Sequence, residues 1–131
     1  MKLSFTRIVT QDVPALTKFY RDLTGVAPQV LSEAYVEFPL AGSGLAISSQ
    51  ATMDLYGARA AAAKSNHSIV LDFQVEDVDR EYLRIKDLVR EIVLEPINQP
   101  WGNRSLMFRD PDGNLINFFA PIGNGERGDR K

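Results

Sequence analysis

The chain has 131 residues and a mass of 14.6 kDa, is 44% hydrophobic and 24% charged, and contains no cysteine. That is enough for one compact domain with a sizeable core, and it rules out disulfides, thiolate metal sites and cysteine nucleophiles. The net charge of −2 becomes −3 once the +1 of ERGDRK (126–131) is set aside, so no basic stripe is available to a nucleic acid, which is excluded as a partner.

The N-terminus, MKLSFTRIVT, has neither the apolar core nor the cleavage site of a signal peptide. No apolar run approaches the roughly eighteen residues of a membrane span. The expectation is a cytoplasmic protein with no membrane partner. LSFTRIVT reads as a strand, and from Asp12 the chain continues DVPALTKFYRDLTG. Val13, Leu16, Phe19, Tyr20 and Leu23 recur at helical spacing, with Asp12 as N-cap and Gly25 placed to end the helix. YVEF and GLAIS are strand candidates. QATMDLYGARAAAAKSN (50–66) reads as a connector with a short helical piece, because alanine favours helix while Gly57 and Asn66 interrupt it.

SIVLDFQV is the next strand, with Ile69, Leu71, Phe73 and Val75 on a face expected to lie under a helix and Val70, Asp72, Gln74 and Glu76 on the other. Asp77 then caps DVDREYLRIKDLVRE, whose stripe is Val78, Tyr82, Ile85 and Val89, while Asp79, Glu81 and Asp87 form a solvated face. SLMFR and NLINFF close the series. The chain thus states one pattern twice. Asp12 and Asp77 are 65 apart, and Phe38 and Phe108 are 70 apart, each phenylalanine six residues before a small residue, Gly44 or Asn114, that opens a strand. The second half carries about five extra residues, near QPWG (99–102). The fold class is α+β, two βαβββ modules in one domain: module one 1–49, connector 50–66, module two 67–122, and a flexible tail 123–131.

Two such units, the D-V-x-x-L-x-x-F-Y-x-x-L-x-G helix and the D-P-D-G-N-L strand entry resemble the vicinal oxygen chelate superfamily of glyoxalases, extradiol dioxygenases and bleomycin-resistance binding proteins. The resemblance runs from Leu3 to about Pro121 and implies a curved mixed sheet enclosing a cleft. Its enzymes hold a divalent metal with His and Glu side chains. By motif position those ligands fall on Phe5, Val70 and Asn117, of which two carry no donor atom. His67, three residues before Val70, falls on the opposite strand face and reads as a loop histidine without a special role. Glu37 is one ligand without partners. The reading is therefore no metal and no cofactor.

QPWGxR followed by DPDGN is most similar to the bleomycin-resistance binding proteins, homodimers that stack a flat cationic ligand between aromatic side chains. The resemblance puts Trp101 and Tyr35 at the stacking positions, and Val30 at a second aromatic of that wall. Trp101, the sole tryptophan, stands in a loop extension rather than a strand, where binding groups concentrate, against the simpler reading of a core or lid residue. Tyr35 and Glu37 share a strand face, so a flat cation can stack on one and pair with the other, against the reading of a plain exposed edge. Arg7 and Asp72 each lie five residues before a capping aspartate. They are expected on the side of the lost metal positions, as an ion pair or polar network or as independently solvated charges.

Three letter matches carry no chemistry. GNGERG (123–128) has no helix to follow it, DPDG lacks the other acidic positions of a calcium loop, and AGSGLA is no nucleophile elbow. The functional expectation is a metal-independent binder of a small organic ligand, with Trp101, Tyr35, Glu37, Asp72 and Arg7 as its site and no catalytic residue. The alternative is a metal-dependent lyase or dioxygenase of the same superfamily. A protein-interaction module has no positive signal.

Overall fold

A computed structural model describes residues 1–55, 57 and 60–123. The chain divides into two compact units, 1–66 and 67–131, each an α+β module with one four-stranded mixed sheet. In the first, β1 (Phe5–Thr10), α1 (Val13–Thr24), β2 (Gln29–Ser32), β3 (Tyr35–Phe38) and β4 (Gly44–Ser49) give the strand order β1-β4-β3-β2. After the short α2 (Gln50–Asp54), the second unit repeats the plan. Its elements are β5 (Val70–Gln74), α3 (Val78–Ile85), β6 (Ile92–Asn98), β7 (Asn103–Arg109) and β8 (Leu115–Pro121), in the order β5-β8-β7-β6. In each sheet the first strand pairs in parallel with the last, and the other pairs are antiparallel.

Both main helices begin in the same way. Asp12 Oδ1 accepts from Ala15 N at 3.0 Å, and Asp77 Oδ1 accepts from Arg80 N at 3.0 Å, each satisfying one of the donors a first turn leaves unpaired. Gly25 ends α1 at φ 70°, a left-handed conformation that costs a residue without Cβ nothing. Beneath α1, Val13, Leu16, Tyr20 and Leu23 meet Val36, Phe38, Leu45 and Ile47, all buried. Tyr20 lies 6.5 Å from Phe38, ring centre to ring centre.

In the second unit Val78 and Ile85 cover Leu106, Phe108, Ile116 and Phe118, and the Phe108 and Phe118 rings meet edge-on at 5.0 Å. Burial alternates along β5 as expected, with Leu71 and Phe73 half-buried. These two are less covered than the sequence suggested because β5 is an edge strand and α3 packs on β6, β7 and β8. Ile69 precedes the strand and is exposed.

Three features differ from the sequence reading in detail. The strands QVLS and IVLEPIN, β2 and β6, follow the helices where no strand candidate was named. All four residues of β2 are exposed, and β6 carries a proline and two register shifts, so neither shows the clean apolar alternation by which strands are read. The connector's helical piece is Gln50–Asp54 and not the alanine run. Ser49 caps it, and the Gln50 amide accepts from Ala63 N at 2.7 Å and donates to Ala61 O at 3.1 Å, holding that run outside a helix.

The repeat offset also changes along the chain. Phe38 faces Leu45 but Phe108 faces Ile116, so β8 stands 71 residues after β4, and Gly44 corresponds to Leu115 rather than Asn114. Most of the tail, with most of GNGERG, lies outside the described residues.

Candidate functional site

Strand register decides which side chains share a face, because residues directly opposite across a ladder point the same way. In the first unit Arg7 faces Ala46 and Ala46 faces Glu37, and one row on Val9 faces Ser48 and Ser48 faces Tyr35. Val36 and Phe38 alternate with Tyr35 and Glu37 and are buried with α1, so these two rows lie on the opposite side of the sheet. The face expected for Tyr35 and Glu37 also carries Arg7.

Tyr35 and Glu37 are joined directly. The phenol donates to Glu37 Oε2 at 2.9 Å, fixing the carboxylate on the ring's edge side. Burial, and then the Glu37 carboxylate, push the Tyr35 phenol above its ordinary range, while the Arg7 charge works against them. The Arg7 side chain is exposed and has no hydrogen bond or ion pair among the described residues. Ala46 and Ser48 are fully buried beneath these groups. One row to the other side, the Phe5 ring lies across Gly44. A Cβ on Gly44 would stand 2.5 Å from Phe5 Cε1, so the ring occupies the space a side chain would need.

The second unit gives the corresponding row a different chemistry. Asp72 faces Asn117 and Asn117 faces Met107. Asn117 Nδ2 donates to Asp72 Oδ1 at 3.0 Å, while Asn117 Oδ1 is buried without a partner among the described residues.

Trp101 lies in the turn that joins β6 to β7. Gln99 N donates to Asn103 O at 2.7 Å, Gly102 takes φ 109°, and Gly102 O accepts from Ile122 N at 3.0 Å. This well-bonded turn leaves Trp101 67% exposed, which removes the core reading. The extra residues of the second module are in this hairpin, since β6 and β7 have seven residues each where β2 and β3 have four.

The positions at which the resemblance implies a metal do not suit one. Phe5 and Val70 offer no donor, which leaves the Asn117 amide oxygen as a lone neutral donor among the three positions. Among the described residues no three His, Cys, Asp or Glu side chains gather where they could hold an ion. His67 is exposed ahead of β5.

The face expected to be merely solvated on α3 is partly structured. Arg104 grips Asp79 with Nε and Nη2, both at 2.9 Å, and holds that carboxyl below its ordinary range. The charge spacing in the sequence did not reveal this pair, because it joins residues 25 apart across the β7–α3 packing. DPDGN is a self-contained turn: Asp110 accepts from Asp112 N, Asn114 N and Asn114 Nδ2 at 2.8–2.9 Å.

Residues 2–118 match the family model described as the Glyoxalase/Bleomycin resistance protein/Dioxygenase superfamily. The uncharacterized protein YraH of Bacillus subtilis (strain 168) is 31% identical over 133 residues, covering 93% of this chain and all of that protein. Among solved structures, a glyoxalase/bleomycin resistance protein/dioxygenase family enzyme from Burkholderia phytofirmans PsJN superposes with a TM-score of 0.84 at 17% identity, over 93% of this chain and all of its own. A protein of unknown function from Agrobacterium tumefaciens gives 0.78 at 26% identity, over 93% and 95%. Among the described residues no helix is long and apolar enough to cross a membrane.

Proposed function

The chain belongs to the Glyoxalase/Bleomycin resistance protein/Dioxygenase superfamily, and on that premise we propose that it is a metal-independent small-molecule-binding protein. In this reading it works as a cytoplasmic homodimer that sequesters a planar ligand, an antibiotic in the sharpest form, instead of transforming it. The observation that carries the reading is what stands at the implied metal positions: an aromatic ring laid over Gly44, a valine, and an amide bonded to Asp72. Trp101 supports it from a second direction. A large aromatic held exposed by a bonded turn loses little further backbone freedom when a flat ligand stacks on it, and such a pair adds about 1 kcal/mol beyond area burial.

Because Trp101 is the only tryptophan, its fluorescence reports on that side chain alone. Titration with bleomycin and other planar cations is expected to quench it, and Trp101→Ala should weaken binding of the same compounds, read by amide chemical-shift titration. Silence across the panel overturns the stacking role. Elemental analysis of protein purified without chelating resin tests the rest: about one metal per chain would overturn metal independence.

A further inference from the structure

The Arg7 side of the first sheet carries an inference that the stacking residues alone do not. Arg7 and Glu37 sit two strands apart on one row, about 9.6 Å at two strand spacings, with only the Ala46 methyl between them. They carry opposite charges, Arg7 exposed and Glu37 half-buried, on either side of the fully buried Ala46. Yet the carboxylate is held by the Tyr35 phenol, and the guanidinium has no partner among the described residues. An exposed Arg–Glu pair that closed on itself would leave nothing to recognise. Here each group keeps capacity: Arg7 offers its whole donor fork, and Glu37 retains Oε1 besides the oxygen bonded to Tyr35. The partly exposed Phe5 ring flanks Arg7 in the neighbouring row, giving this end an aromatic wall.

We infer that Arg7 and Glu37 are the two poles of a subsite for a small zwitterion, whose carboxylate or other planar anion takes the Arg7 fork and whose ammonium donates to Glu37. This rests on the small-molecule-binding reading and changes its ligand. The cluster is electrically balanced, so a molecule with one positive charge meets repulsion from Arg7 as well as attraction to Glu37. A purely cationic ligand gains less than Glu37 alone would suggest.

Three probes that share one flat ring separate the cases: para-aminomethylbenzoate, with a charge at each end, benzylamine and benzoate. Binding to the full chain is followed by amide chemical-shift titration, which needs no tryptophan signal. The zwitterion is expected to bind about tenfold more tightly than either singly charged probe. Arg7→Gln should erase its advantage over benzylamine, and Glu37→Gln its advantage over benzoate. Both side chains lie at the surface or half-buried, so neither substitution removes core packing. Equal affinities for the three probes, or a preference that survives Arg7→Gln, overturns the inference. Failure here together with Trp101 quenching by planar cations removes the zwitterion subsite and leaves the binding-protein reading standing. Absence of any binding, with Trp101 silent as well, removes both.

Discussion

The two modules agree on one sheet face and part company on the other. Toward the helices, the corresponding pairs are Ile8 and Phe73, Ile47 and Phe118, Val36 and Leu106, Leu45 and Ile116, and Phe38 and Phe108. Each of these pairs is apolar, as burial beneath a helix favours, while the edge strand β1 is less strict, with Thr6 standing where the second module has Leu71. On the opposite face, Arg7, Ala46 and Glu37 correspond to Asp72, Asn117 and Met107, and Tyr35 and Ser48 to Ser105 and Phe119. There the first module places two opposite charges around a methyl, and the second bonds a carboxylate to an amide. Packing holds the inner strands of the helix side to apolar residues. The other side is free to be specialised, which is where a function on this scaffold has to be sought.

The likeness of the helix faces is tested by its largest consequence. Phe38 and Phe108 are both fully buried, so Phe38→Ala and Phe108→Ala should each cost about 3–5 kcal/mol, read from urea unfolding. Equal losses support equivalent cores. A tolerant module would show that its core can collapse around the gap and that the correspondence is only topological.

A smaller effect probes the first difference. Gly44 has no left-handed backbone, and the atoms nearest to a Cβ placed there all belong to the Phe5 ring. Gly44→Ala should cost about 1–2 kcal/mol through overpacking. That cost should largely disappear in a Phe5→Val background, where the first module acquires the valine that Val70 supplies in the second. An undiminished cost in that background would place the strain elsewhere.

Much of this plan could be read from the residues, and where it could not the reason is specific. The caps at Asp12 and Asp77 and the apolar stripes are local signals, carried by residues three or four apart, and they predicted both helices. The edge strands β2 and β6 gave no such signal because an exposed or bulged strand need not alternate. The shared face of Tyr35 and Glu37 follows from strand period alone. Their hydrogen bond and the neighbouring place of Arg7 do not, since those depend on register between strands far apart in the chain. The same holds for Asp72 with Asn117, 45 residues apart. The exposure of Trp101 became legible only with its turn. A tryptophan flanked by proline and glycine is compatible with a lid as well as a tip.

The two modules also differ in how the helix is tied to the sheet. Arg104 and Asp79 correspond to Ala34 and Pro14, so the first module has no ion pair at that place. Arg104→Ala should cost at most about 1 kcal/mol, since both groups are partly exposed and salt screens them. Asp79 has its carboxyl lowered by the fold, so its contribution is present above the ordinary carboxylate range and is lost as pH falls through the lowered value. The difference between wild type and Arg104→Ala should therefore be full at neutral pH and shrink in acid. A difference unchanged into acid would mean that Arg104 acts by packing its stem rather than by charge.

The smallest effect is a titration in the alkaline range, and it bears directly on the face where the modules diverge. Tyr35 is raised by burial and by Glu37 and is opposed by Arg7. Its protonated form is thus favoured in the folded chain, a contribution fully present below the unfolded tyrosine value and lost as pH rises through the folded one. Comparing phenolate absorbance with that of Tyr35→Phe isolates its transition from those of the other three tyrosines. Glu37→Gln should move that transition to lower pH by removing the carboxylate, and Arg7→Gln should move it to higher pH by removing the opposing charge. Opposite movements would show both charges acting on one phenol, as the row of Arg7, Ala46 and Glu37 requires. If Arg7→Gln leaves the transition in place, the guanidinium points away from Tyr35, and this face of the first sheet holds an isolated Tyr–Glu pair instead of a balanced one.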